Sequence, residues 1–163
     1  MKIAFIGMMG CGKTSMSKEI SKILSLEYIS IDEEIEKASK STITAIFDTY
    51  GEEYFRKIES KCLLKFINSN NCIVDCGGGI VINSKNIANL KEHDFTIVFI
   101  DRKPNQIIKD INMKNRPLIK KTPNKIYDIY NERIELYKLS ADIIIENDKT
   151  YNEILFEIID AIK

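Results

Sequence analysis

Residues Gly7-Met8-Met9-Gly10-Cys11-Gly12-Lys13-Thr14 constrain this chain more than any other stretch. They follow the apolar run Lys2–Ile6 and precede a helical pattern from Thr14 to Leu24, so a glycine turn must join a buried strand to a helix N-terminus. Backbone N–H groups in such a turn converge on phosphate oxygens, and the helix start adds positive potential. The octet satisfies G-x-x-x-x-G-K-[ST], in which the lysine reaches the outer phosphates and the hydroxyl ligates Mg²⁺. Lys13 and Thr14 fill those places, and Gly10, Cys11, Gly12 and Ser15 are the other ATP-binding residues expected in this stretch.

Further strands are expected at Tyr28–Ile31, Cys72–Val74, Thr96–Ile100 and Asp142–Ile145, where β-branched apolar runs end at turns. Helical patterns lie between them at Asp32–Ser39, Ile43–Tyr50, Glu52–Asn68, Ser84–Leu90, Asn105–Asn112, Asn124–Lys138 and Tyr151–Ile162. Alternating strands and helices predict an α/β fold of three α/β/α layers around a central parallel five-stranded sheet. Residues 1–163 read as one P-loop domain. The segment Asn112–Asn124 is basic, carries two prolines and lacks periodicity, so it reads either as a mobile lid over a phosphate site or as a solvated loop.

Lysine plus arginine and aspartate plus glutamate both number 24, which leaves no excess field to hold a nucleic acid. No stretch approaches the roughly 20 apolar residues of a membrane span, and the N-terminal apolar run is too short for a secretion signal. Cys11, Cys62, Cys72 and Cys76 lack metal-ligand spacing and His93 is the only histidine, so buried thiols in a reducing cytoplasm are expected. A monomer acting on small molecules fits this composition.

A P-loop alone leaves switches, motors and metabolite kinases open. The order of later motifs is more specific. Ser30-Ile31-Asp32-Glu33-Glu34-Ile35-Glu36 is followed by Ile46-Phe47, by Gly51-Glu52-Glu53-Tyr54-Phe55-Arg56-Lys57-Ile58-Glu59 and by Gly77-Gly78-Gly79. Asn115-Arg116-Pro117-Leu118-Ile119 and Glu132-Arg133-Ile134-Glu135-Leu136-Tyr137 come next. From about Lys2 to Tyr137 this order resembles the shikimate kinase family.

The resemblance implies transfer of the ATP γ-phosphate to the 3-hydroxyl of shikimate, with Mg²⁺ as cofactor, in the pathway to aromatic amino acids. It implies that Asp32, Arg56, Arg133 and Gly77–Gly79 hold shikimate, within a helical region of about 32–61. It also implies that Arg116 descends from a lid of about 112–124, and that Lys13, Asp32 and Arg116 carry the catalysis. The residue types suit those tasks. Guanidinium forks grip a carboxylate, a carboxylate accepts the proton of an attacking hydroxyl, and glycines admit close backbone approach. Each residue also has a plainer reading: Arg56 with Glu59 as an i, i+3 pair, Arg133 paired with nearby glutamates, and Asp32 as a helix cap.

A departure from the family lies at the magnesium site. Members usually carry an aspartate two residues before the one matched by Asp32, where it helps hold magnesium through water, and here that residue is Ser30. Asp75, at the end of the third strand, is placed to take over that duty. Another metabolite kinase of the same fold, or a nucleotide-binding regulatory module without an acceptor, are the rival readings. An Asn-Lys-x-Asp guanine motif is missing, since Asn124-Lys125-Ile126-Tyr127 fails at its last position.

Overall fold

The computed structural model describes residues 1–113 and 123–163. Most of the expected lid of about 112–124, Arg116 included, lies outside the described residues. Five strands form one sheet: β1 (Lys2–Ile6), β2 (Glu27–Ser30), β3 (Cys72–Asp75), β4 (Thr96–Asp101) and β5 (Ile143–Glu146). Their order is β2-β3-β1-β4-β5, and every pairing is parallel. The three central strands are almost wholly buried, which is why they read as unbroken apolar runs rather than alternating ones.

The helices are α1 (Lys13–Ile23), α2 (Ile31–Ser39), α3 (Ile43–Phe66), α4 (Ser84–Glu92), α5 (Pro104–Met113), α6 (Pro123–Ser140) and α7 (Tyr151–Ala161). Crossovers between parallel strands of one sheet are right-handed as a rule, and that rule places the helices. The β1-to-β2 connection runs in one direction along the sheet, and the later connections run in the other. The crossover helices therefore divide between the two faces, with α1 and α7 packed together on one of them. The three-layer parallel fold expected from the sequence is the fold observed.

Strand and helix ends moved by one or two residues, each for a local reason. β2 stops at Ser30 because the Ser30 hydroxyl caps α2, accepting the Glu33 N–H at 3.2 Å. Asp32 is therefore not the cap of that helix, and the plainer reading of it fails. β3 runs on to Asp75, so this carboxylate stands at the strand's carboxyl end. Asp142 stays outside β5, and its carboxylate takes the Ile97 N–H at 2.8 Å. The two expected helices Ile43–Tyr50 and Glu52–Asn68 form one run bent at Gly51, whose φ of 79° and ψ of 174° interrupt the helix.

Buried Asp101 ties the base of α5 and α6 to the sheet. Its carboxylate accepts from Lys103 Nζ at 3.0 Å and from the Tyr130 hydroxyl at 3.0 Å. The capping box of α7 closes between Thr150 and Glu153. All four cysteines are free and buried, as expected. Among the described residues no helix is long and apolar enough to cross a membrane.

Candidate active site

The glycine loop leaves the end of β1 and opens directly into α1 at Lys13. Gly12 precedes that helix with φ 95°, a left-handed conformation that side chains rarely adopt. A Cβ there would also stand 2.9 Å from Asn147 Nδ2, the amide that donates to the Cys11 carbonyl at 2.8 Å. Asn147, just beyond β5, thus braces the loop from 136 residues away in sequence. The sequence reading named no residue in that region.

Lys13 is 8% exposed. Burial pulls its ammonium down, but its neighbours Cys11, Asp75 and Asp32 together outweigh burial, and its pKa ends above the ordinary lysine value. Lys13 Nζ lies 3.9 Å from Asp75 Oδ1. Thr14, at the mouth of the cleft, donates its hydroxyl to Asp75 Oδ2 at 2.6 Å.

Beside this loop opens a cavity of about 330 Å³. Its walls bring together Gly10, Lys13, Thr14, Asp32, Arg56, Gly77, Gly78, Gly79 and Arg133, drawn from the P-loop, α2, α3, the turn after β3 and α6. Cys11, Gly12 and Ser15 belong to the adjoining loop and helix start rather than to the cavity wall. A larger cavity of about 500 Å³ lies between α2 and α3, away from the P-loop. The chemistry-bearing groups line the smaller one.

Arg56 is held from both sides by its own helix, with Nη1 2.8 Å from Glu59 Oε2 and Nη2 3.2 Å from Glu52 Oε1. Its pairing with Glu59, the plainer reading, is real, and it fixes the guanidinium against the cleft. Glu59 is 1% exposed, burial pushes its carboxyl above the ordinary value, and its Oε1 has no hydrogen-bond partner. A Cβ on Gly77 would lie 2.7 Å from that oxygen and 2.9 Å from Asp32 Oδ1, and a Cβ on Gly79 would overlap the Arg56 guanidinium. The glycines therefore make room for the protein's own charged groups, a function the sequence did not disclose.

Arg133 forms no ion pair with neighbouring glutamates among the described residues, and its Nε is buried without a partner. Tyr137, one turn further along α6, is fully buried, stacks on Phe99 at 4.9 Å and donates its hydroxyl to the Gly78 carbonyl. It locks the helix bearing Arg133 to the glycine turn. In the sequence Tyr137 is only the last residue of the Glu132–Tyr137 motif, because the contact spans 59 positions.

Magnesium is implied wherever a P-loop holds a nucleoside triphosphate, and the residues fit it. Asp75 Oδ1 is buried with no hydrogen-bond partner beside the Thr14 hydroxyl, an all-oxygen donor pair of the kind this cation takes. Among the described residues there is no cluster of three or more His, Cys, Asp or Glu to hold a different metal.

A phosphate cradle on β1, a buried lysine at its end and a carboxylate with two arginines across one small cleft define a P-loop kinase of small molecules. The model for shikimate kinase matches residues 9–163. The shikimate kinase of Clostridium beijerinckii is 40% identical over 161 residues, which is 99% of this chain and 94% of that one. That of Dictyoglomus turgidum is 36% identical over 99% of this chain and 96% of its own length. Among solved structures, the Acinetobacter baumannii shikimate kinase in complex with shikimate superposes with a TM-score of 0.89 at 28% identity, covering 99% of this chain and 92% of that one. The Aquifex aeolicus shikimate kinase gives 0.86 at 31% identity over 99% and 96%. The chain belongs to the shikimate kinase family.

Proposed function

We propose that this chain is an ATP:shikimate 3-phosphotransferase, moving the γ-phosphoryl group of ATP to the 3-hydroxyl of shikimate on the route to aromatic amino acids. The observation that carries the reading is the single cleft in which P-loop Lys13 and Thr14 face Asp32, Arg56 and Arg133. Family membership sets aside the other metabolite kinases of this fold and the acceptor-free module. ATP enters as substrate and Mg²⁺ as its cofactor. We take residues 1–163 as one catalytic domain working as a monomer. Four free, buried cysteines support a reducing, cytoplasmic setting.

The loop amides of Gly10, Cys11, Gly12 and Lys13, with Thr14 and Ser15 at the helix start, receive the ATP phosphates. Arg56 and Arg133 grip the shikimate carboxylate, and their planar forks set its orientation. Asp32 accepts a hydrogen bond from the attacking hydroxyl and takes its proton as the new P–O bond forms. Lys13 stays charged and meets the negative charge on the transferring phosphoryl oxygens. Thr14, with Asp75 beside it, would hold Mg²⁺, which would supply positive charge against the ATP phosphates. Arg116, outside the described residues, is given its phosphoryl-neutralising role by the family resemblance alone.

ADP release with ATP and Mg²⁺, measured with and without shikimate and beside gluconate and nucleoside monophosphates, tests the proposal. Stimulation by shikimate alone is the expected result. Stimulation by another acceptor, or by none with nucleotide still bound, overturns it.

Gly79→Ala supplies a sharper check of the carboxylate grip. The added methyl displaces the Arg56 guanidinium, so KM for shikimate is expected to rise by about 10–100-fold, while the affinity for ATP stays close to that of the parent. An unchanged KM would show that Arg56 does not hold the acceptor.

A further inference from the structure

Parallel pairing of β2 with β3 sets Ser30 directly opposite Asp75. These two residues close the strand ends beside the P-loop, and only one of them offers a carboxylate. Ser30 is already engaged, since its hydroxyl is the cap of α2. Asp75 is 5% exposed, and its two oxygens have different surroundings. Oδ2 accepts from the Thr14 hydroxyl at 2.6 Å and from the Tyr28 hydroxyl at 3.0 Å. Oδ1 has no hydrogen-bond partner and faces Lys13 Nζ at 3.9 Å. A buried carboxylate oxygen left bare is costly unless a charged ligand completes it.

We infer that Asp75 is the carboxylate that positions the nucleotide-bound Mg²⁺, that Tyr28 fixes its orientation, and that the paired positions of Ser30 and Asp75 are interchangeable places for that one acid. Tyr28 has a place of its own in the arrangement. It lies on the strand that bears Ser30, its ring sits under Lys18 Nζ at 5.2 Å, and its hydroxyl holds the oxygen that Thr14 also binds. With Oδ2 fixed by two donors, Oδ1 is directed toward the phosphate loop. The Thr14 hydroxyl is then freed to turn toward the cation while Tyr28 keeps the carboxylate in place. The exchange preserves one negative charge at the strand ends and adds none, so the loop still tolerates the phosphates.

This inference rests on nucleotide and magnesium binding at the P-loop and not on the identity of the acceptor. Its test therefore uses ADP alone, with Mn²⁺ as the probe for the cation, read by electron paramagnetic resonance of free and bound Mn²⁺. Asp75→Asn is expected to weaken Mn²⁺ binding to the protein–ADP complex by about 10–100-fold, the usual loss when a group orienting a metal site is removed. ADP binding in EDTA should remain as tight or become tighter, because a negative charge near the phosphates is gone. Ser30→Ala is expected to leave Mn²⁺ affinity unchanged although it loses a helix cap. The exchanged protein, Ser30→Asp with Asp75→Ser, is expected to bind Mn²⁺ within about threefold of the parent, and it carries the test if Asp75→Asn fails to fold. Parental Mn²⁺ affinity in Asp75→Asn, or its loss in the exchanged protein, overturns the inference. Loss of ADP binding in EDTA from the unaltered protein would instead overturn the nucleotide reading beneath it.

Discussion

Asp32→Asn is expected to lower kcat with shikimate by about 10²–10⁴, the range for removing a positioned general base, with ATP binding nearly unchanged. Asparagine keeps the shape and a hydrogen-bond acceptor beside Gly77, so the substrate is still oriented; only the proton acceptor is gone. The parent should show an acid limb in its pH profile that the variant lacks. Burial pushes the Asp32 carboxyl above its ordinary value, Asp75 adds to that push and Lys13 opposes it. The ionised, active form is therefore lost as pH falls through a point above the usual carboxylate range. An identical acid limb in Asp32→Asn would assign it to another group.

The same shift has a consequence for stability. With the folded-state pKa raised, the native protein binds more protons than the unfolded chain between the two pKa values. The contribution of Asp32 to folding is full below the unfolded value and is lost as pH rises through the folded one. At neutral pH the ionised side chain thus works against the fold, and Asp32→Asn is expected to melt no lower than the parent even as turnover collapses. That combination, measured by thermal denaturation beside kinetics, separates a catalytic group from a structural one.

How much of this was legible in the sequence depended on how local each signal was. The P-loop could be read at once, because its glycines, Lys13 and Thr14 act within eight consecutive positions. The strands could be read because burial on both faces leaves an apolar run. The break at Gly51 was equally plain. Groups that matter only through distant neighbours were not legible. Glu59 looked like a surface partner of Arg56, and only the fold buries it against Gly77. Tyr137 and Asn147 reach Gly78 and Cys11 across the sheet, and no periodicity encodes such contacts. Ser30 and Asp75 were each noticed, yet their direct opposition follows from strand register, which pairs residues 45 positions apart.

Lys13→Met should reduce kcat by about 10²–10³, the effect of deleting one charge donor at a developing oxyanion, and the loss should fall on kcat more than on KM for shikimate. The ammonium sits where the P-loop turns into α1, nearly sealed from water, so its charge acts in a medium that screens it weakly. Methionine fills much the same volume and leaves the loop amides untouched. Its second effect ties the two halves of the cleft together. Lys13, ahead of Arg56, draws the Asp32 carboxyl back down against burial. Without it, burial and Asp75 push the Asp32 carboxyl up against a weaker opposition, and the acid limb of the residual activity should move to higher pH than in the parent. If Lys13 merely anchors ATP, the variant will raise KM for ATP and leave that limb where it was. A shifted limb with reduced kcat requires Lys13 to act on the phosphoryl group and on the proton acceptor at once.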